Sequence, residues 1–268
     1  TSVLPGFGYN PDDGFKIGVQ AVLTNNRFNR NPFTSQHKVG IAYYFAYDGF
    51  DVNYEGQFAN AIGNFNFAVE GHYTSNNYTT NFFGFGNETT NFAENGLAYD
   101  YNRVKINKIG VEAGLKQATP FGSYFEYMFS FETVNLEESP NRYVTDLYDA
   151  EDDEFFERKY FAGAHGTYKY ESYDDEINPT RGMDFEFTLG GKINTTETKN
   201  SYAYIKPHLE FYNSISRNRK WVINTHVDSQ INIGNDYEFY QAAQLGGETG
   251  LRGYRNERFS GQRSFSTG

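Results

Sequence analysis

The feature that most constrains this chain is a period-two alternation of apolar and polar residues, recurring in segments about ten residues long. Phe50, Val52, Tyr54 and Phe58 share one face of an extended strand, and Asp51, Asn53, Glu55 and Gln57 share the other. The same dyad runs through Phe15–Ala21, Phe65–Glu70, Met183–Leu189, Ala203–Phe211 and Trp221–Ile233. A soluble β-sandwich alternates in the same way, so the period alone leaves two architectures open. Composition separates them. Tyr (23) and Phe (26) supply much of the apolar content, yet mean hydropathy is −0.70 and 21% of residues are charged. That mixture fits strands that show lipid an apolar face, show water a polar one, and carry aromatic girdles where the two meet. About ten residues is also the length of a tilted membrane strand, and no run approaches the roughly 20 apolar residues of a spanning helix.

Read as strands, the chain divides near 3–9, 14–24, 36–47, 50–60, 64–74, 99–117, 121–134, 158–170, 182–194, 201–213 and 219–233, with a twelfth beginning near Ser264. With the N-terminus on the periplasmic side, connections after odd strands are outer loops, and three are long: 75–98, 135–157 and 234–263. The opposite connections are mostly short, as at Ala118-Thr119-Pro120 and Ser214–Lys220, with 25–35 an exception. Short inner turns and long outer loops are the outer-membrane pattern. In the sixth strand Val104 and Ile106 fall out of step with Ile109, Val111, Ala113 and Leu115, which reads as a β-bulge near Asn107-Lys108 or as two shorter strands. Eleven or twelve strands in an open sheet would leave two bare edges in a bilayer. The sequence stops at Gly268 inside an apparent strand, and Thr1–Pro5 lacks the sections of a signal peptide. The expectation is therefore an all-β, antiparallel transmembrane barrel domain over 1–268, partial or processed at its ends.

Several function classes are disfavoured by the same reading. There is no cysteine, hence no disulfide and no cysteine-based zinc site. A formal charge of −11 without a basic run makes nucleic acid an unexpected partner. His37, His72, His165, His208 and His226 are dispersed, and three of them (72, 208, 226) share the polar parity of their strands, so no metal is expected. No GxSxG elbow or Ser/His/acid constellation stands out, and neither enzyme activity nor a cofactor is expected.

Three segments carry a resemblance. Leu245-Gly246-Gly247-Glu248-Thr249-Gly250-Leu251-Arg252-Gly253-Tyr254, after the eleventh strand, resembles the "GG…(V/L)RG(Y/F)" signature of the BamA/TamA family of Gram-negative outer-membrane assembly barrels, also called bacterial surface antigens. Phe83-Gly84-Phe85-Gly86-Asn87 is similar to that family's "FGxGN" outer-loop element, and Asn178-Pro179-Thr180-Arg181-Gly182 to its "PTxG" turn. The resemblance covers essentially the whole chain. It implies a barrel of 16 strands, of which about 11–12 are present, in the bacterial outer membrane, preceded by a soluble domain. It also implies that Arg252 is held in the lumen by acids on strands after the twelfth.

The implied function is insertion or translocation of outer-membrane proteins. Expected partners are outer-membrane lipid, lipopolysaccharide, client outer-membrane proteins and accessory lipoproteins. In that family the first strand pairs weakly with the last, and Pro5, Gly6 and Gly8 mark the corresponding gate strand here, against the plainer reading of a ragged terminus. Two alternatives keep the fold: a membrane anchor for a fused patatin-like or phosphoesterase domain, and a passive porin.

The residues around these motifs also have chemistry of their own. Arg252 in a glycine-rich loop needs fixed acceptors if that loop enters the lumen, and is otherwise a solvated arginine. Arg255, Arg258 and Arg263 bind acidic lumen groups or lipopolysaccharide phosphates, or merely hydrate the loop. Gly84 and Gly86 lack the following helix of a phosphate loop, so a cap packed by its own Phe82, Phe83, Phe85 and Phe92 is expected. The acidic fourth loop, with Glu137, Glu138, Asp146, Asp149, Glu151, Asp152, Asp153, Glu154 and Glu157 against Arg142, is either solvated or cation-binding. Its Tyr143, Leu147, Tyr148, Phe155 and Phe156 need something to pack on.

Overall fold

A computed structural model describes the chain except residues 28–32, 120–121, 149–153, 176, 198, 235 and 248–249. Pro120, Asp149, Glu151, Asp152, Asp153, Glu248 and Thr249 thus lie outside the described residues. Twelve strands form one antiparallel path in chain order: β1 (Ser2–Asn10), β2 (Gly14–Asn25), β3 (Ser35–Tyr44), β4 (Gly49–Ile62), β5 (Phe65–Thr74), β6 (Arg103–Thr119), β7 (Ser123–Glu137), β8 (Lys159–Tyr173), β9 (Arg181–Asn194), β10 (Tyr202–Ser214), β11 (Val222–Ile233) and β12 (Arg263–Thr267). Each pairs with its sequence neighbours, and among the described residues β1 and β12 do not pair with each other.

Direct cross-strand partners share a face, so the alternation in sequence becomes two continuous surfaces. On the outside, Phe125, Tyr168 and Phe185 form a ladder with ring centroids 4.8 and 6.2 Å apart. Phe129 is 71% exposed and Leu189 52%, exposures that suit a lipid-facing surface and not a soluble core. The inside carries a charge lattice: Lys116 bridges Glu126 (2.6 Å) and Glu70 (3.3 Å), and Lys192 pairs with Glu132 at 2.8 Å. Lys38 pairs with Glu55 at 3.0 Å, and Lys169 with Asp184 at 3.1 Å. Inward-facing cations and acids thus offset one another's charge across the inner wall.

The expected bulge in β6 is absent. Its register with β7 is unbroken from Lys105↔Glu137 to Thr119↔Ser123. The apolar phase changes because the environment does. Val104 and Ile106 keep the lumenal parity of Lys108 and Glu112, but at the outer end of the strand that face meets protein instead of water. They join Val134 and Leu136 of β7, Phe161 of β8, and the loop residues Phe82, Val144, Phe155 and Phe239 in the main buried apolar cluster. The core of this molecule is therefore a cap over the outer mouth.

Three outer loops build that cap. Loop three (75–102) contains the short strand Thr79–Asn81, which pairs with β6, and two 3-10 turns, Phe92–Asn95 and Tyr99–Asn102. The sequence had placed 99–102 in the sixth strand. Loop four (138–158) contains helix α1 (Tyr143–Tyr148). Loop six (234–262) contains a 3-10 turn, Phe239–Gln241, and a hairpin pairing Ala243–Leu245 with Phe259–Gly261. Loop three is not packed by its own rings alone: Phe82 lies 4.5 Å from Phe239 of loop six and 5.9 Å from Tyr143 of loop four. Of the aromatics in loop four, Tyr148 stacks on Phe155 at 3.8 Å and Phe155 on Phe239 at 6.3 Å, while Leu147 stays exposed.

Candidate functional site: the lumenal loop and its latch

Loop six returns along the inner wall, and its glycines are what let it. Gly246 (φ +139°) and Gly247 (φ +59°) sit where a Cβ would strike the backbone of Arg255 and the side chain of Asn256. A residue other than glycine there would pry the two arms of the hairpin apart. Gly250 (φ +77°) lies against Ser266 of β12, where a Cβ would come within 2.8 Å. At Gly250 the loop therefore runs beside the inner face of the last strand. Leu251 is half-buried, and Arg252, Gly253 and Tyr254 are exposed. Arg252 lines a cavity of about 780 Å³ shared with Glu186, His208 and Asp228, and among the described residues it makes no ion pair.

The root of the loop is tied to the barrel wall. Glu238 forms a buried ion pair with Lys159 of β8 and accepts from Asn200 Nδ2 at 2.8 Å. Asn232 of β11 donates to the Gln241 carbonyl at 2.9 Å. Along the hairpin, loop three takes over: Gly86 N donates to the Ser260 carbonyl at 2.8 Å. The Phe83–Asn87 element and the glycine-rich loop, remote in sequence, are thus one contact. Gly84 has φ +98°, and a Cβ there would meet the Tyr143 hydroxyl at 2.9 Å.

Of the three arginines for which the sequence left both lumenal binding and hydration open, Arg255 and Arg258 hold the loop. Arg258 donates to Thr89 Oγ1 at 2.7 Å and lies over the rings of Phe83 (4.9 Å) and Phe259 (4.6 Å). Arg255 is more deeply set. Its Nε meets Asp12 Oδ1 at 2.7 Å, its Nη2 the Asn81 Oδ1 at 3.1 Å and its Nη1 the Tyr99 carbonyl at 3.1 Å, while the guanidinium stacks 3.9 Å from the Tyr99 ring. A planar fork is needed for such a set, and lysine lacks it. Asp12, in the β1–β2 turn, also accepts from Asn256 N (2.9 Å) and the Tyr99 hydroxyl (3.0 Å), and Arg103 reaches its carbonyl. Burial and the Asp12 charge push the Tyr99 phenol up to about 12. Beside this node Glu257 receives Asn81 N at 3.3 Å, and burial, reinforced by Asp12 and Asp13, pushes its carboxyl up to about 7.

The "PTxG" turn is an inner-end device. Thr180 Oγ1 and N donate to Asp174 at 2.6 and 2.8 Å and Arg181 N at 2.9 Å, bonds that hold the Asp174 carboxyl well below its ordinary range. Gly182 (φ +148°) leaves no room for a Cβ beside the Ser172 carbonyl, and Pro179 precedes the bonded pair. At β1, Pro5, Gly6 and Gly8 lie inside a strand in continuous register with β2, from Ser2↔Val22 to Asn10↔Gly14. The terminus is a paired strand, not a ragged end.

Membrane-length strands, a lipid-facing exterior, a charged lumen and a loop hairpin seated against the wall define a plugged outer-membrane β-barrel. The chain belongs to the Omp85 superfamily, whose domain model matches residues 48–265. It is a protein of the bacterial outer membrane. Its fold is similar to the crystal structure of BamA from Haemophilus ducreyi lacking POTRA domains 1–3, with a TM-score of 0.67 at 16% identity over 96% of this chain. The chain spans 46% of that protein's length. No curated protein sequence matches it.

Proposed function

We propose that this barrel inserts or translocates other outer-membrane proteins, with β1 as the strand that receives a client edge and loop six as the plug that keeps the lumen closed. The observation that carries the reading is the seat of loop six: a passive porin leaves its lumen open, whereas here a hairpin lies on the inner wall beside β11 and β12. With the lumen occupied, a client is served at a strand edge, where main-chain hydrogen bonds supply the affinity. Arg252 is assigned to hold the loop tip among acidic lumen groups. Lipid contacts the apolar exterior, and lipopolysaccharide and accessory lipoproteins are further partners. We assign no catalysis to the barrel.

The test is depletion of the full-length protein combined with photo-cross-linking from Gly6 and Gly8. Expected are a fall in folded outer-membrane barrels and adducts between β1 and the terminal strand of a nascent barrel, with no adduct from lumenal Glu112. Normal levels of other barrels together with no β1 adduct would replace insertion by the anchoring role.

A further inference from the structure

The periplasmic half of the lumen holds a side-chain cluster that the plug does not use. Asp184 of β9 and Glu210 of β10 are direct cross-strand partners, and His208 lies two positions before Glu210 on the same inner face. One ligand atom from each, two carboxylate oxygens and one imidazole nitrogen, lies within 4.8 Å of the other two. Three independent details make this more than a group of neighbours. Asp184 is only 7% exposed, and its Oδ1 is buried without a hydrogen-bond partner, whereas Oδ2 is held by Lys169 at 3.1 Å. A buried oxygen left unpaired is costly, so something to fill that position is expected. His208 Nδ1 sits 2.6 Å from Asp228 Oδ1, which fixes the ring and leaves Nε2 to present its lone pair. That carboxylate–imidazole pairing is how ligating histidines are oriented. Glu210 Oε1 accepts from Asn224 Nδ2 at 2.7 Å, which steadies the second carboxylate.

We propose that Asp184, His208 and Glu210 form a lumenal binding site for a divalent transition-metal ion. One imidazole nitrogen with two carboxylate oxygens suits zinc and its neighbours, whereas calcium and magnesium take oxygen ligands throughout. Ligand atoms around a tetrahedral zinc stand roughly 3.4 Å apart, so side-chain rotation has at most about 1.4 Å to close from a spread within 4.8 Å. His208, Asn224 and Asp228 line the cavity of about 780 Å³, which gives the ion an aqueous approach and leaves room for water ligands. A bound ion ties β9 to β10, and through Asp228 to β11. The spacing of the residues along the chain carried no hint of this, because strand register alone brings them together. Lys169 is the discriminating residue. Its ammonium competes with a cation for Asp184, so in a metal site its removal strengthens binding, whereas in a plain ion-pair network its removal leaves only a loss.

The experiment uses full-length protein purified in detergent, stripped with a chelator and titrated with Zn²⁺, then with Co²⁺ as a spectroscopic probe. Wild type is expected to bind one equivalent of zinc and to give visible Co²⁺ bands altered by loss of an imidazole ligand. His208→Gln and Glu210→Gln each weaken binding tenfold or more, Lys169→Gln tightens it, and His72→Gln, elsewhere in the lumen, leaves it unchanged. Absence of a zinc equivalent in wild type, equal affinity in His208→Gln, or no gain in Lys169→Gln overturns the site. Should Asp184→Asn fail to fold, the partly exposed His208 and Glu210 carry the test, with heat-modifiable migration confirming that each variant forms a barrel.

Discussion

Arg255 and Asp12 are 243 positions apart and meet with their side chains 9% and 4% exposed. Removing one partner of a buried pair leaves the other charge uncompensated, at a cost of about 3 kcal/mol or more. Arg255→Ala is therefore expected to undock loop six, read as faster protease cleavage between 246 and 258 and an earlier loss of heat-modifiable migration. Arg263→Ala, at an exposed position of β12, should change neither. Equal protease rates in the two variants would remove Arg255 from the latch. Glu257 adds a pH dependence whose sign is fixed by its raised carboxyl. The folded state keeps its proton up to about pH 7, while an undocked loop releases it near the ordinary value of 4.5, so docking is strongest below about 4.5 and weakens as pH rises through 7. Cleavage of loop six should accelerate between pH 5 and pH 8, and Glu257→Gln should flatten that profile. The sequence allows Arg255 an acidic partner but does not say which one. Asn10-Pro11-Asp12-Asp13-Gly14 reads as a turn, and nothing local marks Asp12 as the acceptor for an arginine from the other end of the chain.

At the scale of elements the reading was nearer, because strand faces are set by local alternation. The outward parity of Phe50, Phe58, Phe187 and Leu189 and the inward parity of Asp51, Glu55, Asp184 and Glu186 follow directly from it. Where it failed, the cause was a boundary that alternation cannot see. Val104 and Ile106 break step because the β6 lumenal face passes from water to the cap, and the cap is made by loops whose docking depends on residues 82, 144, 155 and 239. The same logic gives an asymmetric prediction for a single strand. Phe129, near the middle of β7 and 71% exposed on the lipid side, should tolerate a charge poorly, and Phe129→Arg should cost roughly 2–4 kcal/mol in urea unfolding from a bilayer. Glu186→Gln on the inner face should stay within about 1 kcal/mol. A Phe129→Arg barrel as stable as wild type would mean that this face does not meet lipid.

For the whole molecule, the plug joins what the sequence keeps apart. The β1–β2 turn, loop three, the top of β8 and loop six all converge on one hairpin, through Asp12, Asn81, Gly86, Lys159 and the segment from Glu238 to Gly261. The three family-like motifs indicated that such a loop exists, but not that the Phe83–Asn87 element meets it, since Phe85 and Gly86 pair with Ser260 of loop six only in the folded barrel. That contact permits a test of how the barrel works. This chain has no cysteine, so Phe85→Cys with Ser260→Cys introduces the one disulfide possible within it. If the docked hairpin is the resting state, the pair should oxidise in the assembled barrel on adding a mild oxidant, without altering heat-modifiable migration. If clients are served at the β1 edge while the lumen stays plugged, the oxidised protein should also support assembly of other outer-membrane barrels at close to the wild-type level. A locked protein that folds normally but loses that activity, and regains it with a membrane-permeant reductant, would show that loop six must leave its seat and that the route runs through the lumen.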